Sequence, residues 1–255
     1  MRKKPFKVPA GHALALRTCN ADMTSHGGFL WPTSGPVSAP DWQADKNCGH
    51  GLHGLLHGEG NAQLLNWADD AVWLAVLVKL ADVIDLEGKV KFPAGEVVKV
   101  GTREEVVAFI QQHHPNYATV CGTATAGVCG TATAGDSGTA TAGYSGTATA
   151  GYSGTATAGD SGTATAGYSG TATAGVCGTA TAGDSGTATA GYSGTATAGV
   201  CGTATAGDSG TVIIKWWDED AKRYRFSIGY IGEDGLKPGV RYKLDDKHQF
   251  VEVQS

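Results

Sequence analysis

From Cys121 to Ser209 the chain alternates polar and apolar positions with a period of two, and breaks that alternation every eight residues. Copies of GTATAG start at Gly122, Gly130, Gly138, Gly146, Gly154, Gly162, Gly170, Gly178, Gly186, Gly194 and Gly202; the octad at Gly210 reads GTVIIK, and the pattern stops. A β-branched polar residue alternating with a small apolar one predicts a strand with one wet and one buried face. Two glycines per octad disfavour helix despite the alanines, and suit tight corners. Each octad therefore predicts one strand and one corner, and their repetition predicts stacked parallel coils: a mainly β protein built around a thin parallel β-solenoid.

Burying Thr would enclose two hydroxyls per strand, whereas burying Ala leaves a dry, close-packed interior, so Ala124, Ala126 and their equivalents are the expected core. The Ser or Cys before each GTATAG takes only small side chains and is expected to point inward at a corner. The position before it, always Val, Asp or Tyr, is expected to point outward. Coil length follows from packing. Two octads make a flattened 16-residue coil, while three make a 24-residue triangle whose centre alanine cannot fill. Asp136, Asp160, Asp184 and Asp208 recur every 24 residues; read as a coil length, that period stacks like charges about 4.8 Å apart. The expectation is 16, with 24 as the alternative.

The flanks read as capping domains. Residues 1–120 predict an α+β segment: a strand over Ala13–Cys19, an irregular loop at 27–49 packed by Trp31 and Trp42, and a buried strand over 71–80. Short strands at 83–86, 89–92 and 96–100 follow, then a helix opened by a Thr102/Glu105 capping box and ended by Pro115. Beyond the solenoid at 121–211, residues 212–255 predict a β cap. Val212 to Trp217 replaces alanine by large apolar residues in the same alternation, and Arg223 to Tyr230, Tyr242 and 248–253 predict further strands.

Composition narrows the function classes. With 24 acidic and 19 basic residues the net charge is −5, and from 121 to 214 the only charges are the four aspartates. Electrostatic binding of nucleic acid is therefore not expected. MRKKPFKVPAG is basic without an apolar run behind it, and no stretch of 18 apolar residues exists. A cytoplasmic product with no membrane partner and six free thiols is the expectation.

Candidate chemistry outside the repeats is sparse. Cys48, His50, His53 and His57, with His12, Cys19 and His26 as distant additions, supply ligand types for a metal or a Cys–His nucleophile, in no standard spacing. A Gly-rich surface loop is the simpler reading, so no metal, cofactor or catalytic residue is assigned. Asp69–Asp70 and Asp218–Glu219–Asp220 read as solvated turns. With two octads per coil, Cys129 and Cys177 lie three coils apart and Cys121 and Cys201 five, too far to bridge. Of Tyr144, Tyr152, Tyr168 and Tyr192, only Tyr152 and Tyr168 fall on adjacent coils.

AGYSGTATAG at residues 142–151 resembles the AGYGSTxT phrase of bacterial ice-nucleation proteins, over the repeats alone, about a third of the chain. The resemblance implies 16-residue coils carrying Thr-x-Thr rows. The chain departs from that pattern in carrying TAT in every octad, in exchanging Ser and Gly after Tyr, and in lacking a regular Tyr ladder. The repeats and flanks are also similar to those of uncharacterised bacterial and phage repeat proteins.

The threonines are the strongest signal. In a 16-residue coil one face carries Thr123, Thr125, Thr139, Thr141, Thr155, Thr157, Thr171, Thr173, Thr187, Thr189, Thr203 and Thr205; the other carries Thr131, Thr133, Thr147, Thr149, Thr163, Thr165, Thr179, Thr181, Thr195 and Thr197. Their spacings, about 6.8 Å along a strand and 4.8 Å down the stack, approach the oxygen repeats of ice. The expectation is a non-enzymatic repeat protein whose arrays bind ice or ordered water, with self-association through a solenoid face as a further expectation. Two alternatives remain open: a structural rod or spacer without ice activity, and an N-terminal domain with catalytic or metal-dependent activity on a solenoid stalk.

Overall fold

The computed structural model describes residues 5–253, so the first four residues of the basic N-terminal stretch lie outside the described residues. The chain divides into two compact units at Gly122/Thr123.

The first unit is a sheet with one helix. Its strands are β1 (His12–Cys19), β2 (Gly35–Ser38), β3 (Leu52–Leu56), β4 (Val72–Lys79), β5 (Ile84–Asp85), β6 (Val90–Phe92) and β7 (Ala94–Gly101), in the order β2-β7-β4-β1-β3-β6-β5. Every pairing is antiparallel. The long central strands β1 and β4 are apolar on both sides because both faces are covered. Leu14, Leu16 and Trp73 meet Val106, Val107 and Ile110 of helix α1 (Arg103–His113) on one. Ala15, Leu74, Val76 and Val78 meet Trp31, Leu52 and Phe92 on the other. The expected capping box is present: Glu105 N–H donates to Thr102 Oγ1 and Thr102 N–H to Glu105 Oε2, each at 3.3 Å.

Two strands escape the sequence pattern. Residues 27–49 are not wholly irregular, since β2 forms inside them at the sheet edge, where Pro36 costs no ladder bond. β3 arises in the Gly-rich tract because Gly54 lies against β1, where a Cβ would sit 2.9 Å from the Leu16 carbonyl oxygen.

The second unit is a 16-residue-coil parallel β-solenoid. One sheet stacks β8 (Thr123–Ala126), β10 (Thr139–Ala142), β12 (Thr155–Ala158), β14 (Thr171–Ala174), β16 (Thr187–Ala190) and β18 (Thr203–Ala206). The other stacks β9 (Thr131–Ala134), β11 (Thr147–Ala150), β13 (Thr163–Ala166), β15 (Thr179–Ala182), β17 (Thr195–Ala198) and β19 (Thr211–Asp218). Each octad pairs in register with the octad two ahead, as Thr139 with Thr155 and Ala140 with Ala156. The alanines of both sheets form one core, Ala140, Ala148, Ala156 and Ala164 being wholly buried.

The corners differ from expectation. Gly154 N–H donates to the Gly151 carbonyl at 3.1 Å, closing a tight turn in which Ser153 takes φ +51°. Every corner repeats this: the Ser or Cys is left-handed, and none of the repeat glycines is. That backbone turns the side chain outward, so Ser153, Ser161, Cys129 and Cys177 are exposed rather than inward-facing. The inward place belongs to the following glycine. At Gly162 a Cβ would sit 2.8 Å from the Gly146 carbonyl oxygen and 2.9 Å from Ala158 Cβ.

The C-terminal end is closed by strands. In β19, Val212 and Ile214 continue the inward row of Ala196 and Ala198, and β20 (Arg223–Tyr230) then pairs antiparallel with β19. On the other sheet β21 (Tyr242–Leu244) pairs with β18 and with β22 (Phe250–Glu252). Ile231, Leu236 and Tyr242 join the alanine core. Tyr242 is 2% exposed, and its hydroxyl accepts from Lys237 N–H at 2.7 Å.

Candidate functional site: two threonine arrays

Because strand residues alternate and every coil is in register, the threonines of each sheet fall into two parallel outward columns. Thr123, Thr139, Thr155, Thr171, Thr187 and Thr203 line up strand to strand, as do Thr125, Thr141, Thr157, Thr173, Thr189 and Thr205. The opposite sheet aligns Thr131, Thr147, Thr163, Thr179 and Thr195, and beside them Thr133, Thr149, Thr165, Thr181 and Thr197. Thr203 Oγ1 donates to Thr187 Oγ1 at 3.2 Å, showing that hydroxyls on successive coils come within bonding reach. Each face is thus a ladder of methyls and hydroxyls about 6.8 Å wide with rungs about 4.8 Å apart.

The charges stand at the corners and serve the backbone. Asp136, Asp160 and Asp184 each accept, through Oδ1, the N–H of the residue sixteen positions on: Tyr152, Val176 and Val200, all at 2.9 Å. Asp184 also pairs with Lys215 Nζ at 2.8 Å. The lysine hydrogen bond, then the Val200 amide, lower its pKa. Tyr152 and Tyr168 stack on adjacent coils, ring centroids 5.2 Å apart and planes 8° apart. The repeat cysteines are free thiols.

The Cys/His tract of the first unit does not converge. Lys89 Nζ donates to Cys48 Sγ at 2.9 Å, and His50 Nδ1 lies 3.7 Å from Asp41. His53 leaves on β3, and His57 stacks on Tyr117 at 3.7 Å. Among the described residues no group of three His, Cys, Asp or Glu is placed to hold a metal ion. Asp218 ends β19 in a turn, accepting from Asp220 and Ala221 N–H and pairing with Arg225. No helix among the described residues is long and apolar enough to cross a membrane.

A family described as a domain of unknown function (DUF7666) matches residues 13–109. An "Ice nucleation protein" of Pseudomonas syringae is 43% identical over 109 residues, 42% of this chain and 10% of the relative. "Ice nucleation protein InaU" of Pantoea ananas is 39% identical over 116 residues, 45% of this chain and 11% of the relative. One from Xanthomonas campestris pv. translucens is 38% identical over 106 residues, 41% of this chain and 7% of the relative. No solved structure matches the chain. The chain spans about a tenth of the length of the curated relatives it matches first. It is a tandem-threonine β-solenoid protein similar to bacterial ice nucleation proteins.

Proposed function

We infer that the two threonine faces bind ice, or an ordered water layer that matches ice, and that the protein works by this surface rather than as an enzyme. The observation that carries the reading is the unbroken in-register stacking of outward Thr-x-Thr on successive coils of both sheets. One threonine holds water weakly. A rigid ladder fixes many hydroxyls and methyls at one repeat, so the ordering cost is met once by the fold instead of by the water. The names of the relatives favour the same reading.

Size sets the expected activity. Six coils give a ladder of about 24 Å from first to last strand, which is small for templating a critical ice embryo and adequate for adsorption to existing ice. The protein should therefore show thermal hysteresis or ice shaping with little rise in freezing temperature. Changing Thr155, Thr157, Thr171 and Thr173 to Lys interrupts one face and should remove part of the activity. Adding the same change at Thr163, Thr165, Thr179 and Thr181 should remove most of the rest while the coil stays folded. Wild-type protein with neither hysteresis nor ice shaping would leave a structural rod as the function.

A further inference from the structure

The first unit holds a cleft of about 750 Å³, lined among others by Arg17, Trp31, Cys48, His50, His53 and Lys89. Its size is that of a small-molecule site. Its electrostatics are unbalanced. Arg17 rises from β1, its guanidinium 5.4 Å from the centre of the Trp31 ring. One terminal nitrogen, Nη1, reaches the His53 carbonyl at 3.4 Å, while Nε is enclosed and has no hydrogen-bond partner. Among the described residues Arg17 has no carboxylate within ion-pair distance. The neighbouring Cys19 cannot serve as counterion, because burial pushes its thiol up to about 11. His53 Nε2 is likewise buried without a partner.

The other cations sharpen the contrast. Lys91 is fully enclosed and properly compensated, with Asp45 at 2.6 Å and the Asn47 carbonyl at 2.9 Å. Lys89, which lines the cleft, donates to the Cys48 sulfur and among the described residues has no carboxylate within ion-pair distance. The acid on the cleft wall, Asp41, lies at an exposed position beside His50. An enclosed guanidinium without an anion is costly, and the cost falls when a ligand supplies one. The planar guanidinium is also the cation shaped to grip two oxygens of one carboxylate or phosphate.

We propose that this cleft binds a small molecule carrying an oxyanion, carboxylate or phosphate, held by the Arg17 guanidinium and Lys89 of the cleft wall with His53 alongside and the ligand's apolar body against Trp31. The site is independent of the threonine arrays. His53 supplies a second signature. Burial first, then Lys89, Arg17 and Lys91 against the opposing Asp41, lower its pKa to about 4. A bound anion raises that value, so affinity is greatest at acid pH and declines as pH rises through the bound-state pKa.

The test uses the full chain, labelled for NMR of the Arg side-chain Nε–H and His ring signals and titrated with sulfate, inorganic phosphate and succinate. Sulfate keeps its charge across the range, so its pH dependence reports on the protein. A saturable shift of the Arg17 Nε–H and His53 signals by about 10 mM probe, tenfold above a millimolar dissociation constant, is expected. Arg17→Gln should weaken binding about tenfold or more, the usual cost of losing a charge-assisted bond, and Lys89→Gln should weaken it less. Lys79→Gln on the exposed end of β4 should leave it unchanged. Phosphate binding more tightly than succinate assigns a phosphorylated ligand, and the reverse a carboxylate. Should Arg17→Gln not fold, loss of sulfate affinity in Lys89→Gln together with the acid-favoured pH profile carries the proposal. No saturable shift with any probe, or shifts equal in wild type and Lys89→Gln with no pH dependence, would overturn it.

Discussion

Gly162→Ala tests why glycine occupies the corners. Gly162 has an ordinary negative φ, so alanine introduces no backbone strain there. The obstacle is space: the new Cβ would lie 2.8 Å from the Gly146 carbonyl oxygen and 2.9 Å from both Ala158 Cβ and the Gly159 carbonyl oxygen. None of these atoms ends a flexible side chain, so the coil itself must shift. Overpacking of this kind costs about 1–3 kcal/mol, against which alanine recovers about 0.4–1 kcal/mol by restricting the unfolded chain. The expected net loss is about 1–2 kcal/mol, a fall in melting temperature of several degrees. The companion variant is Ser161→Gly, at φ +55°. Relief of the left-handed strain and the extra flexibility of glycine oppose each other at about 1 kcal/mol each, so this change should be nearly neutral. Thermal melts of both, with amide exchange at the Ser161–Val176 bond of 2.7 Å, read the difference. Gly162→Ala melting at or above wild type while Ser161→Gly melts well below it would refute the argument.

Other expectations follow from the same geometry. Ala156 is wholly buried between the two sheets, so Ala156→Leu should cost about 1–3 kcal/mol or more, whereas Thr155→Val on the exposed face should leave the melting temperature nearly unchanged. Deleting residues 212–255 removes the Val212, Ile214 and Tyr242 closure and bares the edges of β17 and β18, so the truncated chain should be recovered as aggregates or fibrils, visible by sedimentation and electron microscopy. The folded-state pKa of Asp184 is depressed, so its contribution is present above the unfolded-state value and lost as pH falls. The melting-temperature gap between wild type and Asp184→Asn should accordingly shrink on acidification through the carboxylate range.

How much could be read from the sequence depended on which physical term decided each element. The coil length and the inward alanines follow from alternation and volume alone; the register of Thr139 on Thr155 bears out the first and the full burial of Ala140 and Ala156 the second. The inward Ser or Cys expected at the corner fails because glycine has two uses, positive φ and missing bulk, which composition does not separate. Only the stacked coils show that the bulk matters and that Ser or Cys carries the positive φ. In the first unit, β3 hid in a histidine-rich, glycine-rich tract because its glycine answers to a close approach by β1, a long-range fact. Arg17 did leave a local trace: it is the one charge in the alternating ALALRTC strand. Its missing counterion is visible only in three dimensions.

The 24-residue aspartate period and the 16-residue coil make sense together. A unit of three octads is one and a half coils, so each successive unit exchanges the two sheets. That works only if every octad can serve either sheet and either corner row, which is why GTATAG is identical throughout. Two-sided threonine faces follow from this whether or not both are used. The mismatch also disperses charge. Asp136 and Asp184 share one corner row and Asp160 and Asp208 the other, each pair three coils or about 14 Å apart, beyond the screening length of about 8 Å. Deleting the single octad 138–145 would place Asp136 and Asp160 on successive coils, about 4.8 Å apart, so that Asp136 faces the Asp160 backbone N–H in place of that of Tyr152. Repulsion at that range is worth about 1 kcal/mol in water and up to about 4 near a protein surface. Deleting the three octads 138–161 instead removes Asp160 and leaves Asp136 and Asp208 three coils apart in one row, with Asp184 alone in the other. The shorter deletion should therefore melt lower than the longer one at neutral pH although it removes fewer coils. Asp160→Asn within the eight-residue deletion should restore its stability. A shorter deletion more stable than the longer one at neutral pH, or unaffected by Asp160→Asn, would show that the 24-residue period has no electrostatic role.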